Sequence, residues 1–130
     1  MLKLSSKRTK WFPVSQDPSG EAQVEILHLK PGEVADIEAK SNQIIGRQTG
    51  DQDFQTEIGF NPNDRAKKIV TRAVLDWKGF NGINDKALKC TDFNKMEVMK
   101  EYDWFAGFVE DCRKTLADEV AEEQEDSGKN

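Results

Sequence analysis

The chain has 130 residues and a mass of 14.8 kDa, which predicts one domain. Its 19 basic and 24 acidic residues give a net charge of −5, and 36% of its residues are hydrophobic. Two cysteines are too few for a disulfide-stapled scaffold, and no apolar run approaches the roughly 20 residues of a membrane span. We expect no signal peptide in the first ten residues, which lack an apolar stretch, and therefore a cytoplasmic protein without membrane association.

The charge is distributed unevenly along the chain. Residues 1–100 hold 16 basic and 14 acidic side chains, whereas residues 101–130 hold three basic and ten acidic ones. Ends of opposite charge favour flexible or interacting termini. We expect a basic, flexible arm at 1–9, a single α+β domain at 10–123 and a disordered acidic tail at 124–130.

The N-terminal third predicts a small antiparallel sheet. The segment 10–14 is aromatic and β-prone, and Pro13 within it excludes a central-strand position. An Asp-Pro-Ser-Gly turn follows. Residues 21–30 then predict a strand, with Val24, Ile26 and His28 on one face and Leu27 and Leu29 on the other, so the two segments are expected to pair.

Helices are predicted for most of the remaining chain. A short helix is expected at 34–40, and a long loop with one short strand at 41–63. The next helix has an apolar face at helical spacing, formed by Ala66, Ile69, Val70, Ala73, Val74 and Trp77.

Two further helices complete the predicted fold. Thr91-Asp92 can cap the first, whose inward side chains are expected to be Phe93, Met96 and Met99, with Val98 as a further choice. Asp103 can cap the last, whose apolar stripe consists of Phe105, Phe108, Val109, Cys112, Leu116 and Val120. The pattern predicts an α+β fold: a small N-terminal antiparallel β-sheet followed by two to three packed C-terminal helices.

Residues suited to catalysis or metal binding are few. The one histidine, His28, lies on a predicted strand face, and the two cysteines are 22 residues apart without a CxxC motif. Cys112 is expected to be a buried small hydrophobe, whereas Cys90 near a helix start is a candidate nucleophile. No phosphate-binding glycine loop is present. We therefore expect no enzyme, no cofactor and no metal site.

A basic helical face suggests nucleic-acid binding as an alternative. Arg65, Lys68 and Arg72 lie on the exposed side of the first long helix, where they could contact phosphates. The net acidic chain would repel a polyanion, so the favoured interpretation is a solvated surface.

Aromatic residues cluster around the predicted helices and the loop between them: Trp77, Phe80, Trp104, Phe105 and Phe108. One interpretation is a small helical core. The other is that some of these rings stay exposed and bind a partner, since Trp and Tyr are favoured at interfaces. The candidate partner-binding residues are Trp77, Phe80, Trp104 and Phe105.

The order of features after residue 65 is distinctive. A helix ends in Trp77-Lys78-Gly79-Phe80, an Asn/Asp/Gly loop follows at 81–86, and Thr91-Asp92 caps a helix that precedes a last helix with a charged tail. This order resembles small phage and prophage tail assembly chaperone-like proteins over residues 65–123. The resemblance implies a non-enzymatic factor of virion morphogenesis that binds other tail proteins, with the tape-measure or tube protein as suspected partner.

Two other functions stay open. The chain could be a structural subunit of a phage tail or head-tail connector, in which strands or the 41–63 loop pair between copies of a homo-oligomer. It could also be a DNA-binding protein that uses its basic helix. A structural subunit should be present in purified particles at ring stoichiometry. A DNA-binding protein should bind DNA in a salt-dependent way.

Overall fold

The computed structural model describes the backbone of residues 8–41, 44–45, 57–58 and 62–128, with side chains for 8–40 and 64–123. Within these residues the fold is α+β, as predicted, with a three-stranded antiparallel sheet, a two-stranded antiparallel pair and four helices. In chain order the elements are β1 (Thr9–Pro13), β2 (Gln23–Leu27), α1 (Pro31–Ser41), β3 (Ile44–Ile45), β4 (Glu57–Ile58), α2 (Pro62–Ala73), β5 (Val74–Lys78), α3 (Asp92–Glu101) and α4 (Phe105–Gly128).

Contacts divide the chain into two compact units, whereas its length predicts one domain. The first comprises Met1–Leu29 and Val70–Asn130, and the second comprises Lys30–Ile69. The larger sheet, α3 and α4 belong to the first unit. The second contains α1 and the antiparallel pair of β3 with β4.

The larger sheet has the order β1–β2–β5, so β2 is its central strand. β1 lies at an edge, as Pro13 predicts, and pairs antiparallel with β2. Val24 and Ile26 of β2 are fully buried, and Trp77 of β5 lies opposite Val24. The Trp77 ring touches Phe105 of α4, so this face of the sheet packs against α4.

The first long helix is predicted to reach Trp77 but ends at Ala73, and β5 follows directly. The helix prediction is therefore wrong for the last four residues. Leu75 has no residue opposite it on β2, which makes a β-bulge. The extra residue puts Val74 and Trp77, three positions apart, on one buried face. In a sequence that spacing indicates a helix, although here a bulged strand produces it.

Local capping sets where α1 and α3 begin. α1 starts at Pro31, earlier than predicted, and proline suits the first helical position because its missing N–H is not needed there. The Glu33 carboxylate accepts a hydrogen bond from the Lys30 backbone amide at 3.1 Å, which completes a capping interaction. Thr91 caps α3 as predicted, since its hydroxyl accepts from the Asn94 amide at 3.1 Å.

α3 buries a different face from the predicted one. Val98 is buried, but Phe93 is 72% exposed, and Met96 and Met99 are half-buried. The other buried side chain of α3 is Lys95. The inward prediction is thus wrong for Phe93. A ten-residue helix has too few turns for apolar spacing alone to identify its inner face.

α4 carries the predicted apolar stripe. Its buried members are Phe105, Val109, Cys112, Leu116 and Val120, whereas Phe108 is half-buried. The Phe108 amide donates to the Trp104 carbonyl at 2.9 Å, so Trp104 rather than Asp103 precedes the helix. α4 continues to Gly128 and so includes residues 124–128 of the predicted acidic tail.

Several predictions fall on residues outside the described ranges. The arm at 1–9 is described only from Arg8 onward. The predicted loop at 41–63 is described only at its ends and in β3 and β4, where Ile44 lies opposite Ile58. The short strand expected in that loop coincides with β4, and the residues on either side of β4 lie outside the described ranges.

Candidate functional site

Three of the four predicted partner-binding rings lie in the core. Trp77 is 6% exposed, Phe80 9% and Phe105 0%. Trp77 and Phe80 stack with ring centroids 4.8 Å apart, and both meet Phe105 edge-on. The Trp77 indole N–H donates to the Leu88 carbonyl at 2.7 Å, so its polar atom has a partner too. The expectation of exposed rings is therefore wrong for these three residues.

Trp104 is the one of the four predicted rings that keeps an exposed part. It joins the core through edge-on contacts with Phe105 and Phe108, at 6.1 and 6.4 Å between ring centroids. On its other side it lies 5.0 Å from the ring of Tyr102, which is 42% exposed. Trp104 thus connects the buried aromatic cluster with exposed apolar surface.

The exposed apolar surface surrounds one cleft of about 960 Å³. Ile83, Phe93 and Tyr102 are the exposed large hydrophobic side chains of the described residues, and all three line this cleft together with Trp104. Sequence reasoning placed Phe93 in the interior and passed over Ile83 and Tyr102. The available signal was Ile83, an isoleucine between turn-forming residues, where no core position is expected.

A short loop holds Ile83 at the rim of the cleft. The Leu88 amide donates to the Phe80 carbonyl at 2.8 Å, and the Gly82 amide donates to the Lys86 carbonyl at 2.9 Å. These bonds close the loop, and Ile83 lies at its tip with its side chain fully exposed. Because Phe80 is buried in the aromatic cluster, the loop is anchored to the core.

Two residues that line the cleft, Gly79 and Asp17, determine the course of the backbone beside it. Gly79 has a φ of 77°, and a Cβ there would lie 2.7 Å from the Glu21 carbonyl oxygen and from the Ala22 Cα. The Asp17 carboxylate accepts hydrogen bonds from the Ala22 amide at 2.7 Å and from the Ser19 hydroxyl and amide. These bonds, chiefly the one from Ala22, hold the pKa of Asp17 below its usual range, so it is ionised at neutral pH.

Lys95 positions α3, and sequence reasoning missed it. Its side chain is buried, and its ammonium donates to the Thr71 carbonyl at 3.1 Å and to the Asp92 carboxylate at 3.3 Å. Thr71 lies in the last turn of α2, where carbonyls lack helical partners and the helix dipole favours a cation. The contact attaches α3 to the end of α2 and thereby helps place Phe93 at the cleft.

Ion pairs engage Arg65 and Lys68 of the basic face proposed for nucleic-acid binding. Arg65 lies 3.2 Å from the Glu38 carboxylate, and Lys68 lies 2.7 Å from that of Asp64. Arg72 is exposed near the end of α2. Ion pairs of this kind lower the positive potential that a polyanion would meet. Nucleic-acid binding by this surface stays a prediction.

Both thiols have raised pKa values. Burial raises the pKa of Cys90 to about 11, an effect that outweighs the attraction of the nearby Lys95 charge. Burial raises the pKa of Cys112 to about 12, and Cys112 is the buried small hydrophobe that the sequence predicts. At neutral pH Cys90 is therefore a thiol rather than a thiolate, and a helix start nearby does not activate it.

Within the described residues, no three His, Cys, Asp or Glu side chains lie close enough to hold a metal ion. The helices of that part of the chain also lack the combination of length and apolar character that a membrane crossing requires. No protein-family model, no curated protein and no solved structure gives a significant match to this chain. The candidate site is accordingly defined by the geometry of the cleft.

Proposed function

We propose that this chain is a protein-binding factor, not an enzyme, and that it holds an apolar segment of a partner in the cleft beside Ile83, Phe93 and Tyr102. The observation that carries the proposal is the position of these three side chains, which leave the core and share one cleft. Contiguous apolar surface of this kind marks interaction sites. Covering it stabilises a complex by roughly 25 cal/mol per Å² of apolar area removed from water.

The surroundings of the cleft support binding without large rearrangement. The loop that carries Ile83 is closed by backbone hydrogen bonds, and the backbone of Gly79 packs closely against that of Ala22. Lys95 attaches the helix that carries Phe93. A preorganised surface loses little conformational entropy on binding, which favours affinity.

Phage tail proteins are the partner class that we propose. The resemblance of residues 65–123 to tail assembly chaperones supports this choice, with the tape-measure or tube protein first. In this role the chain acts in the bacterial cytoplasm and covers an aggregation-prone apolar segment until assembly. The acidic surface of α4 supplies charge that keeps such a complex soluble.

Two serine substitutions in the cleft test the proposal. We expect the wild-type chain to bind a purified tail protein in calorimetry, and Ile83→Ser with Phe93→Ser to weaken binding about tenfold or more, since apolar burial is lost. Both side chains are exposed, so thermal stability should change little. Met96→Ser, on the same helix but outside the cleft lining, is the control and should bind as the wild type does. Binding that survives the double substitution, or a folded wild type that binds no tail protein, would contradict the proposal.

A structural subunit of the tail is a second candidate, favoured by the edges of the sheet. β1 and β5 lie at its two sides, and within the described residues no further strand covers either edge. Open edges can pair with a second copy, which would build a homo-oligomer. Mass spectrometry of purified particles separates the candidates, because a subunit is present at ring stoichiometry and a chaperone is absent.

A further inference from the structure

We infer that the segment bound in this cleft is cationic as well as apolar, with lysine or arginine side chains beside its aromatic or aliphatic ones. The inference rests on the proposed function, because it specifies the partner of the same cleft. Its basis is the polar part of the lining, where three carboxylates, Asp17, Glu97 and Glu101, outnumber the one ammonium group, Lys100. The formal net charge of these four groups is −2.

Two of these carboxylates lack a neutralising cation. Glu97 lies 3.2 Å from Lys100, so this pair cancels. Asp17 is bound by neutral amide and hydroxyl groups, which keep it charged without compensating the charge. Glu101 is exposed, and among the described residues no cation pairs with it. The cleft therefore presents one uncompensated negative charge on its turn side and another at the end of α3.

Aromatic rings beside Glu101 add a second attraction for a cation. Tyr102 follows Glu101 directly, and its ring lies 5.0 Å from that of Trp104, with both rings partly exposed in the cleft. An ammonium or guanidinium group within about 6 Å of such a ring is attracted to its face. The chain makes this interaction elsewhere, where the Lys78 ammonium lies 4.5 Å from the ring centroid of Trp11.

Other segment chemistries fit the cleft less well. A neutral apolar segment would remove water from the Asp17 and Glu101 carboxylates without giving either a partner, which costs free energy. An acidic segment would add repulsion between like charges. A segment that combines apolar and basic side chains satisfies both parts of the lining at once.

Three labelled peptides with the same apolar core test the inference, one flanked by lysines, one by glutamines and one by glutamates. Fluorescence anisotropy with the full chain measures each Kd at low and at high salt. At low salt we expect the lysine peptide to bind roughly fivefold tighter or more than the glutamine peptide, and the glutamate peptide to bind most weakly. High salt should shrink these differences, because it screens exposed charges.

A pair of matched variants locates the effect. Glu101→Gln removes one charge from the cleft, and Glu122→Gln removes one from an exposed position of α4 outside it. We expect the preference for lysine over glutamine flanks to fall about threefold in Glu101→Gln and to stay unchanged in Glu122→Gln. Both positions are exposed, so circular dichroism should confirm that both variants fold.

The results separate a failure of the inference from a failure of the proposed function. Equal affinities for the three peptides, or tightest binding of the glutamate peptide, would overturn the inference and leave the proposed function standing. Equal effects of Glu101→Gln and Glu122→Gln would overturn it too, since attraction would then depend on overall charge. If no peptide binds to the folded chain, the proposed function fails, and the inference fails with it.

Discussion

Gly79 and Gly20 both have left-handed backbone conformations, but only Gly79 is crowded. Their φ angles are 77° and 74°. A Cβ on Gly79 would lie 2.7 Å from backbone atoms of Glu21 and Ala22, whereas a Cβ on Gly20 would meet nothing within 4 Å. Gly79 is therefore required for two reasons, its φ angle and the close approach of another backbone segment. Gly20 is required for its φ angle alone.

Alanine substitutions should separate these two contributions. Gly20→Ala should lower the free energy of unfolding by about 1 kcal/mol, the cost of a left-handed alanine. Gly79→Ala should lower it by about 3 kcal/mol, since the backbone of β5 or of the turn must also move. Urea unfolding followed by tryptophan fluorescence measures both. Equal losses would show that the close approach at Gly79 is relaxed at little cost.

The burial of the Lys95 side chain cannot be predicted from the residues around it in the sequence. A lysine in a short helix predicts an exposed side chain, because lysine is almost never fully buried without a partner. Here the partner is the Thr71 carbonyl, 24 positions away in the sequence. The Thr71 carbonyl lies in the last turn of a helix because α2 ends at Ala73, and that end is the boundary that the apolar spacing conceals.

Ion pairs join two segments that are far apart in sequence, α4 and the residues at the start of β1. Arg8 donates to Glu123 from its two terminal guanidinium nitrogens, Nη1 and Nη2, and the Lys10 ammonium lies 2.7 Å from the Glu119 carboxylate. The hydrogen bond from Arg8 holds the pKa of Glu123 below its usual range. Glu119 and Glu123 lie one helical turn apart, so they form a row on α4. In the described part of the chain, the oppositely charged ends are interacting ends.

Charge reversal on α4 tests these pairs. Glu119→Lys with Glu123→Lys puts like charges beside Arg8 and Lys10, so we expect a lower Tm, with the loss shrinking as salt increases. The control is Asp118→Lys with Glu122→Lys, which changes the net charge equally at the same spacing on the same helix.

The control pair should leave the Tm nearly unchanged, because Asp118 and Glu122 are exposed and no residue of β1 pairs with either in the described structure. Scanning calorimetry at low and high salt measures both double variants. Equal shifts in the two would mean that total charge, and not contact with β1, determines the loss.

Elements differ in how well the sequence predicts them. The stripe of α4 repeats over four turns, so its periodicity predicts both the helix and its buried face. β5 is five residues long and bulged, so its two buried side chains have helical spacing. Short elements give too few repeats for periodicity to distinguish a bulged strand from a helix end.

For the molecule as a whole, both thiols couple stability to alkaline pH. The folded pKa values of Cys90 and Cys112, about 11 and about 12, lie above the ordinary value of 9.0. The native state therefore binds more protons than the unfolded state above about pH 9. The stabilising contribution is complete below that pH and is lost as pH rises towards the folded values.

Removing one thiol should weaken this dependence. We expect the urea concentration at the unfolding midpoint of the wild type to decrease as the pH is raised from about 8 to about 10.5. The decrease should be less steep in Cys112→Ala, because that variant has one titrating thiol fewer. The comparison of slopes cancels the constant loss from the small cavity that alanine leaves. Parallel curves for the two proteins would mean that Cys112 does not contribute.

The sequence by itself determined the features that depend on local chemistry or on a long period. They are the α+β class, the edge position of β1, the Thr91 cap, the stripe of α4 and the burial of Cys112. Pro13 and Thr91 act through their own backbone geometry and hydrogen bonds, so their effects can be deduced without knowing what packs against them.

Only the tertiary structure decided which aromatic rings are covered and where the cleft lies. The sequence predicts one cluster of rings, but burial depends on contacts between segments that are distant in the chain. Trp77 is covered because β5 pairs with β2 beneath α4, and Ile83 stays exposed because its loop closes on its own backbone. Spacing reports the period of an element, whereas exposure depends on what the finished fold brings against it.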